Sequence, residues 1–156
     1  MRTFSILLFL SCIVPSLAGS ASLPPLVNAD TGTALHGYDA VSYFQKTGPV
    51  EGKKNFVVKQ GDANYFFSSA ENRDAFMKAP EQYLPAYGGW CAYAIGAKDD
   101  FVDVDPKSYK IANGKLLLFY KDFFTSTLKK WNEKETELVP KAEANWKQEQ
   151  AKRGVK

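Results

Sequence analysis

The stretch Asn64-Tyr65-Phe66-Phe67-Ser68-Ser69-Ala70-Glu71-Asn72-Arg73-Asp74-Ala75-Phe76 decides the fold, because a strand pattern changes to a helix pattern inside it. The β-rich run 64–68 follows a similar run at 55–59, and Gln60-Gly61-Asp62-Ala63 lies between them. Two such runs joined by a short segment with a glycine are typical of a β-hairpin. We therefore predict a hairpin over 55–68.

The second half of the stretch carries a helix start. Ser68 followed by Glu71 matches a capping box, in which each side chain satisfies a backbone N–H of the first turn. The pattern predicts a helix over 69–78. In that helix we expect Phe76 and Met77 to face the core.

A second hairpin and a helical arm follow. Asn113-Gly114 separates the runs 109–112 and 115–120, and this residue pair favours a type I′ turn. Beyond Asp122 the apolar spacing predicts helices, and Pro140 is expected to break or kink them. The predicted fold class is α+β: one small domain with β-hairpins packed on short helices and a C-terminal helical arm. We place the domain at 34–146, followed by a charged tail at 147–156.

The N-terminus has the features of a secretory signal peptide. Arg2 precedes an apolar run that is too short to span a membrane, and a small-residue site ends at Ala18. We expect cleavage after Ala18, with Ala21 as the second choice, and a flexible lead-in at 19–33. The mature protein is then secreted or periplasmic, without a transmembrane segment.

Composition narrows the classes of function. The chain has 156 residues, 45% of them hydrophobic, and a net charge of +3 that falls to +2 once Arg2 is removed. These values exclude wholesale disorder, fit one domain, and are too mild for a nucleic-acid-binding face. Residues 121–156 hold nine basic and six acidic side chains. We interpret this arm as a solvated helix face, with contact to an anionic surface as the alternative.

Catalytic motifs are missing from the sequence. It contains no glycine-rich phosphate loop, no nucleophile elbow, no His-Glu-x-x-His and no Cys-x-x-Cys. The predicted mature chain keeps one cysteine, Cys91, and one histidine, His36. We therefore expect binding rather than catalysis. An enzyme in which His36 activates the Cys91 thiol is the alternative.

Several blocks together carry a family resemblance. The stretch 64–76, Gly37-Tyr38-Asp39-Ala40-Val41-Ser42-Tyr43-Phe44, Tyr87-Gly88-Gly89-Trp90-Cys91-Ala92-Tyr93, Asp105-Pro106 and Asn145-Trp146 resemble the extended, exported form of the YHS domain family. The resemblance covers about 36–146. It implies metal handling, because short YHS domains are associated with heavy metals. Those short domains carry two cysteines where this chain has Ser68 and Asn72, so that soft-metal site does not carry over.

Two sets of residues are candidates for a site. The first is a copper or zinc site of Cys91, His36 and Asp39, since a Cys/His pair suits Cu(I) or Zn(II). Met77, Asp103 and Asp105 are other groups that could complete it. Each member also has a structural interpretation, with Cys91 as buried core, His36 as a loop residue and Asp39 as the cap of a turn.

The second set is aromatic. Tyr38, Tyr87, Trp90 and Tyr93 could line a pocket for a flat small molecule or contact an exported protein partner, or they could be plain core. If these aromatic residues form the site, the protein is a small-molecule or protein-interaction module, and Cys91 is purely structural. The expected partners are accordingly a metal ion, a small ligand or an exported protein, and not nucleic acid.

Overall fold

The hairpin at the centre of the sequence forms the main sheet in the structure, a computed structural model that describes residues 23–155. Strands β3 (Lys53–Gln60) and β4 (Ala63–Phe67) pair antiparallel across Gly61-Asp62. Two short strands, β1 (Ala29–Asp30) and β2 (Thr33–Ala34), extend the sheet in the order β1-β2-β4-β3. The strands β2 and β4 run parallel. The predicted hairpin is confirmed.

Helix α1 (Ala70–Lys78) begins one residue later than the predicted capping box requires. The cap is Ser69, whose hydroxyl accepts the backbone N–H of Asn72 at 3.2 Å. Phe76 is buried against the sheet, but Met77 is 60% exposed. The prediction that both face the core was wrong, because neighbouring positions in a helix point in directions about 100° apart.

The second hairpin packs on three helices. Strands β5 (Asp105–Ala112) and β6 (Lys115–Phe119) join at Asn113 and Gly114, whose φ values of 51° and 73° are those of the predicted type I′ turn. The helices are α2 (Ala92–Lys98), α3 (Thr127–Glu133) and α4 (Glu135–Lys152). Short 3₁₀ turns lie at Leu35–Gly37, Ser42–Phe44, Pro80–Gln82 and Ala86–Gly89.

Pro140 lies inside α4, and the helix continues through it. The prediction of a break at this residue was wrong. Leu138 and Ala142, on either side of the proline, are buried against α2, where Gly96 has no side chain to keep the helices apart. This packing outweighs the one backbone hydrogen bond that proline removes. The predicted charged tail at 147–156 is likewise mostly helix, because α4 extends to Lys152.

The segment that precedes the domain is docked on it. Asn28 donates its backbone N–H to the Gly88 carbonyl at 2.9 Å, and Trp90 donates its indole N–H to the Pro25 carbonyl at 3.1 Å. Strand β1 and the first residue of β2 also lie inside 23–33, so the structure differs from the predicted flexible lead-in over those residues. The cause is long-range hydrogen bonding that local composition does not show. The predicted signal peptide and both cleavage sites lie outside the described residues.

The fold class is α+β, as predicted from the sequence. Two hydrophobic clusters form the core: one lies between the main sheet, α1 and the loop around Val41, and the other lies between β6 and helices α2, α3 and α4. Cys91 and Leu118 belong to the first cluster and Ala92 and Leu117 to the second, so α2 and β6 border both. Among residues 23–155, no helix combines the length and apolar character needed to cross a membrane.

Candidate functional site

Asp39 has a structural role and is not available as a metal ligand. Its carboxylate is fully buried and accepts the backbone N–H groups of Val41 at 2.9 Å and Ser42 at 3.3 Å. The other oxygen accepts the backbone N–H of Ser68 at 2.8 Å and its hydroxyl at 2.6 Å, and the Asn72 amide at 2.6 Å. These donors bind the 39–42 turn to the start of α1, and they occupy the oxygens that a metal would need.

Cys91 lies at the start of α2 with no exposed surface. Its sulfur accepts the backbone N–H of Tyr120 at 3.4 Å and lies 3.3 Å from the Thr127 hydroxyl oxygen. That hydroxyl already donates to the Tyr120 carbonyl at 2.8 Å, so the proton between sulfur and oxygen belongs to the thiol. A thiolate, the form that binds metals and attacks substrates, could not donate this hydrogen bond.

His36 is paired with a different partner. Its Nε2 lies 2.8 Å from a carboxylate oxygen of Asp103, which also accepts the Asn28 amide at 2.8 Å. Burial opposes ionisation of Asp103, but hydrogen bonds from Asn28, the Val104 backbone and His36 hold its pKa below the ordinary value. Asp103 therefore connects the loop before β5 to Asn28 of the N-terminal segment and to His36.

The predicted metal set is not assembled in the structure. Within residues 23–155, no three histidine, cysteine, aspartate or glutamate side chains are placed to hold a metal ion. Cys91, His36 and Asp39 each have their own hydrogen-bond partners, and no hydrogen bond joins any two of the three. Met77 lies on the exposed face of α1. The site expected from the residue types is absent because the fold uses each side chain for a separate structural contact.

The four predicted aromatic residues do not share one pocket. The Tyr38 hydroxyl donates to Glu51 at 3.3 Å, and Trp90 packs edge-on against Phe101. Tyr87 is buried and donates to Glu143; burial and that carboxylate raise the pKa of its phenol. Tyr87 and Tyr93 line two different cavities. The predicted aromatic surface is thus divided among separate parts of the domain.

Tyr93 does line a cavity with chemistry suited to a ligand. We name it the Cys91 cavity; its volume is about 240 Å³. Its lining consists of Cys91, Tyr93, Ala94, Lys98, Val102, Tyr120, Thr125, Thr127 and Lys130. The Lys130 ammonium lies 6.0 Å from the centre of the Tyr93 ring. Neither Lys98 nor Lys130 forms an ion pair with any other residue in the described part of the chain.

Sequence reasoning found Cys91 and Tyr93 but missed the other members of this cavity. Lys98 ends α2, Lys130 lies on α3, and Tyr120 follows β6, so they meet only in the folded chain. No spacing rule connects these three positions. Only the folding of α3 back across the end of β6 brings them to one cavity.

No family model matches the chain, and no curated protein or solved structure matches it either. The resemblance to YHS domains therefore rests on the sequence blocks alone.

Proposed function

We propose that the protein is an exported, non-catalytic binding protein of the extended YHS type. Its ligand is a small organic anion with an apolar body, held in the Cys91 cavity. One observation carries this proposal: two lysines without carboxylate partners among residues 23–155 meet two tyrosines around one small cavity. The secreted or periplasmic location follows from the N-terminal sequence pattern.

The cavity chemistry defines the ligand class. Lys98 and Lys130 supply positive charge. The Thr127 hydroxyl is already used, since it donates to the Tyr120 carbonyl. Val102 and the tyrosine rings supply apolar walls. A ligand that suits all of them carries an anionic group at one end and a flat apolar body at the other.

The cavity volume limits the ligand size. At about 240 Å³ the cavity is smaller than the range of about 300–1,000 Å³ that drug-sized ligands occupy. A single-ring carboxylate is the size that fits.

Three observations favour this proposal over metal handling and thiol catalysis. The Cys91 thiol is buried and donates a hydrogen bond, and no described contact joins it to His36, which a catalytic thiol would need as its base. Ser68 and Asn72, at the positions where short YHS domains carry cysteines, both donate to Asp39. These two positions therefore hold hydrogen-bond donors to a carboxylate and supply no thiolate for a metal.

Titration of the mature chain with benzoate, and with benzamide as the neutral isostere, tests the proposal. We expect benzoate to bind and the Lys98→Met/Lys130→Met double variant to lose about tenfold or more in affinity. The matched control is Lys53→Met/Lys59→Met, which removes the same charge from exposed positions on β3. Equal binding of benzamide, no binding of benzoate, or full binding by the cavity variant would each overturn the proposal.

A metal titration tests the competing function directly. Cu(I) and then Zn(II) are added under reducing, anaerobic conditions to the wild type, Cys91→Ser and His36→Ala. We expect that neither metal binds tightly at a site that requires both Cys91 and His36. One-to-one binding lost in both variants would replace the organic anion with a metal as the ligand.

A further inference from the structure

The loop between β6 and α3 carries two neighbouring phenylalanines in water. Phe123 is 93% exposed and Phe124 is 92% exposed, and their rings meet edge to face with centres 5.0 Å apart. We name this pair the aromatic tip. No other large hydrophobic residue among 23–155 approaches this exposure; the next is Met77 at 60%. Large adjacent rings left in water indicate a surface that meets an apolar partner.

The loop is built to hold the tip outward. Asp122 accepts the backbone N–H groups of Phe124 at 2.9 Å and Thr125 at 2.6 Å, and it accepts the Tyr120 hydroxyl at 2.7 Å. Its own N–H donates to the Thr125 carbonyl, and Lys121 bridges to Ser126 across the base of the loop. These hydrogen bonds hold the loop backbone in one shape, which keeps both phenylalanines at its exposed end.

Three lysines lie in the same surface depression as the aromatic tip. Lys107, Lys121 and Lys129 line the same surface depression as Phe123 and Phe124, and we name them the lysine collar. Asp122 is the one carboxylate in that lining, and its oxygens already accept the loop hydrogen bonds. None of the three lysines pairs with a carboxylate in the described part of the chain. The surface therefore combines two exposed apolar rings with an excess of positively charged side chains.

We propose that the aromatic tip inserts into the headgroup region of an anionic lipid membrane, with the lysine collar against the lipid headgroups. Phenylalanine rings of membrane-surface proteins bury at the boundary of headgroups and acyl chains. Lysines nearby gain from negative surface charge while their stems lie along the apolar boundary. Two rings alone give weak attachment, so stable docking needs both the tip and the collar. The inference does not rest on the proposed ligand.

The geometry favours lipid over a second protein. A stable protein interface buries about 800 Å² on each side, which two rings at the end of a loop do not supply. Lysine is also depleted in protein interfaces, whereas here three lysines line the same depression as the apolar residues. A protruding apolar point with a cationic rim matches a soft, negatively charged surface.

Vesicle co-sedimentation of the mature chain tests the proposal. Vesicles of phosphatidylcholine alone are compared with vesicles of equal parts phosphatidylcholine and phosphatidylglycerol, at about 0.1 M salt and again at about 0.5 M. We expect binding to the anionic vesicles, weakened by salt, and at least about tenfold less binding by Phe123→Ala/Phe124→Ala. Lys107→Gln/Lys121→Gln/Lys129→Gln should lose binding together with its salt dependence.

Matched controls separate docking from general surface effects. Val57→Ala/Met77→Ala removes exposed apolar side chains elsewhere, and Lys53→Gln/Lys59→Gln/Lys78→Gln removes equal charge. Both controls should bind vesicles as the wild type does. Phe123→Ala/Phe124→Ala should keep benzoate affinity, so failure of the membrane proposal and failure of the ligand proposal are distinguishable.

Insertion itself is measured with Phe124→Trp. Its added tryptophan emission should shift to shorter wavelength on anionic vesicles and be quenched by brominated lipid chains, relative to the wild type with its three tryptophans. No vesicle binding by the wild type, or unchanged binding by Phe123→Ala/Phe124→Ala, would overturn the proposal. Concentration-dependent self-association that this variant abolishes would overturn it too, and would assign the tip to a second copy of the chain.

Discussion

The carboxylate of Asp39 lies 2.6 Å from the side-chain amide of Asn72, at a point where both residues are buried. Five donors converge on Asp39, and within residues 23–155 no cation pairs with it. A buried carboxylate of this kind is stabilised only by the donors that the fold brings to it. The 39–42 turn and the start of α1 therefore depend on one side chain.

We predict that Asp39→Asn destabilises the protein by about 2–4 kcal/mol. The substitution replaces an accepting oxygen with an NH₂ group that faces donors, and it removes the charge that strengthens the remaining bonds. Urea unfolding measures the loss. Asp62→Asn, at an exposed turn position of the first hairpin, is the control and should change stability by less than about 0.5 kcal/mol. A loss of unfolding free energy below about 1 kcal/mol in Asp39→Asn would contradict the structural role assigned to Asp39.

The Cys91 thiol should resist modification in the native state. Its residue has no exposed surface, and the sulfur accepts from Tyr120 and donates to Thr127. We expect a thiol reagent to react only as fast as the protein opens, and to react at once in urea. If the folded protein were labelled rapidly, and if His36→Ala abolished this rapid labelling, the result would instead support a thiol enzyme.

Removing the Cys91 thiol should reduce stability. Cys91→Ala leaves the Tyr120 N–H and the Thr127 oxygen without their partner, and we expect a loss of about 1–3 kcal/mol in urea unfolding. Cys91→Ser keeps a donor and an acceptor at the site, so its loss should be smaller. Equal losses in the two variants would show that cavity volume, and not hydrogen bonding, sets the effect.

The parts of the fold that the sequence predicts correctly depend on neighbouring residues. Gly61-Asp62 and Asn113-Gly114 form the hairpin turns because their own backbone preferences require it. The start of α1 is different. Local rules favour Ser68 as the cap because Glu71 follows it three residues later. Asp39, far away in the sequence, accepts the Ser68 hydroxyl and leaves Ser69 to cap the helix.

The candidate site could be predicted only in part for the same reason. Cys91 and Tyr93 are visible as an unusual thiol beside an aromatic residue, whereas Lys98 and Lys130 become site residues only when α2 and α3 meet. Pro140 is the opposite case, in which a local rule predicts a feature that the fold does not have. Its local tendency to end a helix is overruled by the burial of Leu138 and Ala142 against α2, which no local rule includes.

Gly88 should be required for docking of the N-terminal segment. A Cβ at this position would lie 1.8 Å from the Leu26 carbonyl oxygen, and its φ is +61°. We predict that Gly88→Ala destabilises the protein and exposes residues 24–28 to limited proteolysis. Gly61→Ala is the matched control, since φ there is +58° but no atom lies within 4 Å of the added Cβ. The control should lose only about 1–2 kcal/mol of unfolding free energy, which is the cost of the backbone strain alone. Identical stability and proteolysis in both variants would mean that the Leu26 contact contributes nothing.

Acid should weaken the contact between β5 and α4. Lys110 donates to both oxygens of Glu135, at 2.7 and 2.6 Å, and this hydrogen bonding, with a smaller contribution from Trp131, lowers the Glu135 pKa. A carboxyl group with a lowered pKa stabilises the fold above the unfolded value of about 4.3 and loses that contribution as pH falls through the folded value. The pair is partly exposed, so its contribution is below about 1 kcal/mol.

Lys110→Met is the variant that measures this contribution. We expect it to be less stable than the wild type at about pH 7 in urea unfolding, and the difference should shrink as pH falls from about 5 to about 3. Lys53→Met, from an exposed position on β3 that forms no ion pair among residues 23–155, is the control, and its difference from the wild type should not follow pH in this range. A difference between Lys110→Met and the wild type that stays constant down to about pH 3 would show that Lys110 acts through its packing and not through the Glu135 carboxylate.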